Sequence, residues 1–252
     1  RGDYHFEAKM LRVPENTDAN VAKVEPAPLV VLARPKDEKF VVIDLDHTVV
    51  ADSFWRVLLG GARPMADSVR VTRRIAREYS IIYLTHRPDL LARKSRGWLD
   101  EHGYPTGVLM VGTLEDAIGD SGAYKTARLG DVTERFSRLE IGIGDKYSDA
   151  QAYVNHRMTA YLIPHYDPDD LDEVRKAARS IRQIDDKGRL NVVDGWSQVE
   201  AGIFRGKEFP PGQYVRQLES RADRLRREDR DDDDEDDEDD DDDDDEEEEE
   251  DD

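Results

Sequence analysis

Five short apolar runs, each followed by a helix-like segment, constrain the fold more than any other feature of this sequence. The runs are rich in Val, Ile and Leu and span residues 40–43, 80–85, 107–111, 140–145 and 159–163. The segments between them place apolar residues at helical spacing, and so do residues 169–184. Strands that alternate with helices favour a mostly parallel sheet covered on both faces. The sequence therefore predicts an α/β fold, a Rossmann-like three-layer sandwich.

The charge of the chain is concentrated at its C-terminus. Residues 231–252 are all Asp or Glu, and they account for the whole formal net charge of −22. A run of like charges repels itself and has no apolar surface to bury, so we expect a disordered acidic tail. Such a tail is not expected to bind nucleic acid or anionic lipid. Residues 211–230 before it predict a charged helix.

The rest of the chain suits one domain. We assign residues 38–210 to it, which is an ordinary size for a single hydrophobic core. Residues 1–37 precede the first run and contain two strand-like stretches, 4–13 and 29–32. They predict an N-terminal β segment or the remnant of an upstream β-domain, and the first residue, Arg1, leaves room for upstream sequence.

Two absences narrow the class of protein. The chain has no cysteine, which excludes disulfides, thiolate metal sites and cysteine nucleophiles. It also has no apolar stretch of the roughly 20 residues that a transmembrane helix needs. We therefore expect a cytoplasmic protein without a membrane span.

Polar residues follow three of the predicted strands and begin one helix. The set comprises Asp44 and Asp46 after the first strand, Thr85, His86 and Arg87 after the second, Lys125 on a helix, and Asp145 and Asp149 in a Gly-rich turn after the fourth strand. Because the carboxyl ends of parallel strands meet at one edge of a sheet, these residues are expected to converge. Lys94 is a second candidate cation, but its position fits a solvated helix face.

This combination of residues points to phosphoryl transfer. Clustered carboxylates repel one another and require a cation, and hard oxygen ligands favour Mg²⁺. A hydroxyl and an ammonium group opposite them can hold phosphate oxygens. One carboxylate can attack phosphorus to form an aspartyl-phosphate. A second, two residues later on the same side of an extended chain, can transfer the proton.

The motifs "VVIDLDHT", "IIYLT", Lys125 and "GIGDKYSD" resemble, in order, the four motifs of phosphatases of the haloacid dehalogenase superfamily. The resemblance covers about residues 40–165. It implies Asp44 as nucleophile and metal ligand, and Asp46 as general acid and base with its backbone carbonyl on the metal. It further implies that Thr85 and Lys125 hold the phosphoryl group, and that Asp145 and Asp149 complete the Mg²⁺ site.

The segment after the second motif resembles lipin-type phosphatidate phosphatases, with two departures. His47 stands where lipins commonly carry glycine, and His86 stands where a small residue is usual. We interpret His47, His86 and Arg87 as possible substrate contacts; for the histidines packing is the alternative, and for Arg87 a structural salt bridge.

The intervals between the motifs are too short for a large cap domain. An open site suits a large phosphorylated substrate, macromolecular or lipid. The alternative hypothesis is a catalytically idle module of the same fold that binds a phosphorylated ligand or lipid. The sequence does not fix the substrate or the oligomeric state.

Overall fold

The computed structural model describes residues 2–8, 27–51, 61–113, 115–116 and 119–236. The sequence also predicts a flap with apolar side chains around Trp55, which either pack onto the sheet or contact a lipid or partner; this stretch lies largely outside the described residues, and so does most of the acidic tail. Within the described chain no helix combines the length and the apolar character needed to cross a bilayer.

The main sheet has six strands, all parallel, in the order β5-β4-β3-β6-β7-β8. Its strands are β3 (Lys39–Ile43), β4 (Ser80–Pro88), β5 (Val108–Gly112), β6 (Arg138–Gly144), β7 (Thr159–Leu162) and β8 (Leu190–Val192). The α/β fold and the five predicted strands are confirmed. The sixth strand, β8, was not predicted; it has only three residues, too few for a clear periodicity.

Seven α-helices cover the described part of the sheet. They are α1 (Ser68–Ile75), α2 (Ala92–Glu101), α3 (Ser121–Thr133), α4 (Tyr147–Asn155), α5 (Leu171–Gln183), α6 (Trp196–Arg205) and α7 (Pro211–Asp236). A turn of 3-10 helix, Asp89–Leu91, precedes α2. Helix α7 extends to Asp236 and therefore includes the first residues of the segment for which we predicted disorder.

Side chains of β3 alternate between two hydrophobic cores. Phe40 and Val42 pack with α3, α4, α5 and α7, whereas Val41 and Ile43 pack with α1, α2 and α6. This alternation follows from the two-residue period of a strand. Because all four side chains are at most 3% exposed, β3 is the rigid centre of the three-layer sandwich.

Two helix boundaries test signals in the sequence, which predicts Asp67 as an N-cap and Gly103 as a residue that ends a helix. Asp67 does occupy the N-cap position of α1, but it has a left-handed φ of 63° and its side chain makes no capping hydrogen bond. Its carboxylate accepts a hydrogen bond from Arg70 Nε at 3.0 Å instead. Gly103 follows α2 with a φ of 72°, a conformation that glycine adopts without strain.

The N-terminal segment forms its own sheet. Strands β1 (Gly2–Ala8) and β2 (Ala27–Ala33) pair antiparallel as a two-stranded ribbon, separate from the main sheet. Arg34 fixes the end of the ribbon to the main domain, because its Nε donates to Ser80 Oγ over 2.7 Å. The ribbon agrees with a β segment; whether it is the remnant of a larger β-domain stays a prediction.

The order of the strands determines where a ligand can bind. From β3 the chain proceeds outward through β4 and β5, and then returns to the other side of β3 for β6, β7 and β8. The side on which successive strands join the sheet therefore changes between β3 and β6, although all strands remain parallel. Crevices in open α/β sheets form at such switch points, beyond the carboxyl ends of the strands. The residues after Ile43 and Gly144 therefore occupy the expected ligand crevice.

Candidate active site

Asp44 stands at the switch point. It follows β3 directly, is 3% exposed, and its backbone N–H donates to the carbonyl of Ile143 in β6 over 2.9 Å. The turn after it is fixed by Trp196, whose indole Nε1 donates to the carbonyl of Thr48 over 2.7 Å. The Asp44 carboxylate is thus presented on a rigid strand end, as a nucleophile requires.

Lys125 links Asp44 to the turn after β6. Helix α3 carries Lys125 with 1% of its surface exposed, and its Nζ donates to Asp44 Oδ1 over 2.8 Å and to Asp149 Oδ2. Burial by itself lowers the pKa of Lys125, but Asp44 and Asp149 outweigh burial and raise the pKa well above its ordinary value. The ammonium group is therefore charged at neutral pH.

Asp44, Asp145 and Asp149 form a buried carboxylate cluster. One oxygen from each lies within 4.8 Å of the others. Asp145 Oδ1 and Asp149 Oδ1 are buried and have no hydrogen-bond partner among the described residues. Burial, followed by the charges of Asp44 and Asp149, raises the pKa of Asp145 to about 8. Burial is also the main cause that raises the pKa of Asp149 to about 6, against the opposing charge of Lys125.

These carboxylates fit a divalent cation. When all three carboxylates are ionised, they and the ammonium of Lys125 carry a net charge of two minus, which is the charge that one divalent cation neutralises. Buried carboxylate oxygens without partners are also unusual unless an ion or water completes them. The oxygen donors are the hard ligands that Mg²⁺ prefers.

Asp46 has a different partner. Its side chain is 22% exposed and accepts two hydrogen bonds from Arg87, from Nη2 to Oδ1 at 2.6 Å and from Nε to Oδ2 at 3.0 Å. Arg87 is 4% exposed and also donates from Nη1 to Ser95 Oγ at 2.9 Å. Arg87 thus forms a salt bridge with Asp46, which agrees with the alternative interpretation of Arg87 as a structural residue.

Thr85 and His86 follow the buried part of β4. Thr85 is 1% exposed, and its hydroxyl accepts a hydrogen bond from the Arg87 backbone N–H over 3.3 Å. His86 is half-buried, with Nε2 2.6 Å from the carbonyl oxygen of Asp116. Both side chains face the crevice.

A cavity of about 200 Å³ joins most of the predicted residues. It is lined by Asp44, Asp46, Thr85, His86, Arg87, Pro88, Lys125 and Lys146. The structure therefore brings together the nucleophile, proton-transfer and phosphate-binding candidates. Asp145 and Asp149 lie next to it through the carboxylate cluster. Lys94 is not among the lining residues, and it is exposed on α2.

Lys146 was missed by the sequence analysis. It lies inside the motif "GIGDKYSD" directly after Asp145, so a lysine in this turn was the available signal. His47 does not line the cavity; its ring stacks on His165, with centroids 4.1 Å apart and planes at 19°. Burial, followed by His165, lowers the pKa of His47, although Asp46 and Asp44 act in the opposite direction.

The part of the chain that forms this crevice matches the model of a known family. Residues 41–163, just under half of the chain, match the LNS2 domain of the PITM 1–3 family, which is lipin-like. The matched range begins in β3 and ends just after β7, so it includes every residue of the carboxylate cluster. The match supports a lipin-like phosphatase domain of the haloacid dehalogenase type over residues 41–163.

Solved structures give more distant likenesses to this chain. A chain of the Pnkp1/Rnl/Hen1 RNA repair complex is 14% identical with a TM-score of 0.46, over 57% of this chain and 51% of that one. The present chain thus spans about half of that structure's length.

Two further structures are similar at the same level. A putative HAD-like phosphatase from Mesorhizobium loti is 16% identical with a TM-score of 0.43, over 52% and 76% of the two chains. The class C acid phosphatase from Bacillus anthracis is 13% identical with a TM-score of 0.40, over 73% and 79%. No curated protein sequence matches the chain. At these scores we take no functional argument from the solved structures.

Proposed function

We propose that the protein is a Mg²⁺-dependent phosphatase that hydrolyses a phosphomonoester through an aspartyl-phosphate on Asp44. The observation that carries the proposal is the buried group of three carboxylates and one ammonium beside the cavity. Ionising all three carboxylates in this buried space is unfavourable unless a cation compensates their charge.

Asp44, Asp145 and Asp149 would hold the metal, and the carbonyl of Asp46 is the further ligand that the resemblance predicts. A bound Mg²⁺ would neutralise the negative charge of the cluster and of the phosphate, and thereby permit one anion to approach another. Asp149 is already in contact with Lys125, so we expect it to act on the metal side mainly through its free oxygen, Oδ1.

Lys125 and Thr85 would hold the phosphoryl oxygens. Both are 1% exposed and line the cavity with Asp44. An ammonium and a hydroxyl in a space without bulk water stabilise the charge of the transferring group more strongly than they would in solution. The contact from Lys125 Nζ to Asp44 Oδ1 also orients the nucleophile, leaving its second oxygen for attack.

Asp46 would move the proton in both half-reactions. In the first, an Asp44 oxygen attacks phosphorus, the bond to the leaving oxygen breaks, and that oxygen takes the proton of Asp46. In the second, water attacks phosphorus and gives its proton to Asp46, while the bond between phosphorus and Asp44 breaks. Arg87 engages both oxygens of Asp46, so one of them must be released when a substrate arrives.

The access route suits a large or lipid substrate. Among the described residues, no separate cap domain interrupts the chain between β3 and β4 or between β5 and α3. We therefore propose that the leaving group extends out of the cavity. An idle module that binds a phosphorylated ligand remains the competing hypothesis, and catalysis distinguishes the two.

The test is turnover of para-nitrophenyl phosphate and a panel of phosphomonoesters, with Mg²⁺ and with EDTA. We expect Mg²⁺-dependent release of phosphate and a loss of at least about 10³-fold in Asp44→Asn. Asp100→Asn, which removes an exposed carboxylate from α2, is the matched control and should retain activity. Parent protein that is folded and binds phosphate but turns over no substrate would establish the idle module instead. Full activity in Asp44→Asn would refute the mechanism.

A further inference from the structure

The basic side chains around the cavity differ in whether they already have a carboxylate partner. Lys125 is held between Asp44 and Asp149, and Arg87 is held by Asp46. Lys146 also lines the cavity. Its side chain is exposed and makes no salt bridge or side-chain hydrogen bond with the described part of the chain. One positive charge at the cavity is therefore left for a ligand.

The side chains that line the cavity differ in how deeply they are buried. Asp44, Thr85 and Lys125 are all at most 3% exposed and form the inner wall of the cavity. Lys146, in contrast, is exposed, and its backbone is fixed at the N-cap position of α4. A phosphoryl group bound against the inner wall has its leaving group directed outward, toward the mouth. Lys146 therefore lies on the outer side of the cavity, where the leaving group would extend under the proposed function.

A pair of stacked histidines includes the residue that directly follows Asp46 in the turn after β3. His47, half-buried, stacks on exposed His165. His47 has a φ of 51°, and its buried Nδ1 has no hydrogen-bond partner in the described chain. A left-handed backbone is uncommon for a residue with a side chain, although histidine adopts it more often than most residues. The stacking contact with His165 holds the ring at this position.

We propose that Lys146, assisted by the His47–His165 pair, selects phosphomonoesters whose leaving group carries a second anionic group, either a carboxylate or another phosphate. The ammonium of Lys146 supplies a charge-assisted hydrogen bond to that anion. The two imidazoles lie outside the cavity lining and would contact the part of the leaving group that extends beyond it. This inference rests on the proposed phosphatase function and specifies its substrate class.

The experiment compares substrates that share one carbon skeleton. Glycerol 3-phosphate lacks the second anion, 3-phosphoglycerate has a carboxylate, and glycerol 1,3-bisphosphate has a phosphate. We expect a kcat/KM about tenfold higher for at least one of the two anionic substrates, mainly through KM, which is the effect of one charge-assisted hydrogen bond. The preference should decrease as salt is added, because Lys146 is exposed. The better of the two anionic substrates identifies the source of the anion.

Substitutions test which side chains cause the preference for an anionic leaving group. Lys146→Gln should reduce the ratio of the two kcat/KM values to about one, and Lys146→Arg should restore it. His47→Gly, which suits the left-handed backbone, should reduce the ratio in part. Lys176→Gln, the same charge change at an exposed site on α5, is the control and should leave the ratio unchanged.

Three outcomes would overturn the inference. Equal kcat/KM values for all three substrates in the parent would do so, as would an unchanged ratio in Lys146→Gln. Phosphatidate vesicles that are hydrolysed far better than either anionic substrate would also contradict it, since that leaving group has no second anion. Turnover of none of these substrates would overturn the proposed phosphatase function and the inference with it, whereas turnover without preference overturns the inference alone.

Discussion

Replacing Asp145 by asparagine should stabilise the metal-free protein. Asp145 is 7% exposed, and one of its oxygens has no partner. Burial and the charges of Asp44 and Asp149 raise its pKa to about 8. Asparagine has nearly the same shape without the charge. The substitution therefore removes an unfavourable buried carboxylate at a site where no structural role opposes the change.

The size and pH dependence of the effect follow from the pKa. The value rises from an ordinary 3.8 to about 8 in the folded state. Between these two values the folded protein binds more protons than the unfolded chain, so the stability of the parent falls as pH rises from about 4 to about 8. At pH 7 the raised pKa of Asp145 lowers the free energy of unfolding by on the order of 2–4 kcal/mol. At pH 5 the reduction is on the order of 1 kcal/mol.

Urea denaturation in EDTA at pH 5 and at pH 7.5 measures the effect. Asp145→Asn should be more stable than the parent at pH 7.5, with a smaller difference at pH 5. Added Mg²⁺ should stabilise the parent and have a much weaker effect on the variant. Asp100→Asn, in an exposed position on α2, should follow the parent in every condition. A variant that is less stable than the parent at both pH values, or a parent that gains nothing from Mg²⁺, would refute the reasoning.

Two further substitutions test the support around the site. Arg87→Gln removes the paired hydrogen bonds to Asp46, and we expect kcat to fall about 10–100-fold with little change in KM; steady-state kinetics showing a change in KM alone would contradict a positioning role. Gly142→Ala would place a Cβ 2.2 Å from the ring of Tyr153, so urea denaturation should show a loss of roughly 1–3 kcal/mol. Gly130→Ala, where a Cβ meets nothing within 4 Å, is the control and should be neutral or stabilising by up to about 1 kcal/mol; equal losses in both variants would disprove the packing argument.

The architecture was predictable because its strands are apolar on both faces. Residues 40–43 are buried between two helical layers, so their composition identifies a central strand. Strand β8 was not predictable on the same basis, since Leu190–Val192 lies at the edge of the sheet and has a polar residue, Asn191, in its middle. The left-handed Asp67 was also missed, because an Asp before a helix normally caps it through its side chain.

The gathering of the site residues was predictable because the carboxyl ends of parallel strands share one edge. The pairing of individual side chains at that edge was not predictable. Arg87 reaches Asp46, 41 residues earlier in the chain, only because β4 extends to Pro88 and brings the guanidinium over the turn after β3. The sequence indicated that both residues belong to one crevice, but the distance between their side chains depends on where β4 ends.

The two lysines of the cavity show why composition alone could not assign the site. Lys125 and Lys146 carry the same charge and line the same 200 Å³, yet one is 1% exposed and bound by two carboxylates whereas the other is exposed. A buried ammonium that is already paired can hold a phosphoryl group without further desolvation of the lysine, so it favours the reacting centre regardless of the substrate. An exposed ammonium loses hydration only when a suitable anion arrives, so its contribution depends on what the leaving group carries. The proposal that Lys125 serves catalysis and Lys146 selectivity therefore rests on their burial, which the sequence does not contain.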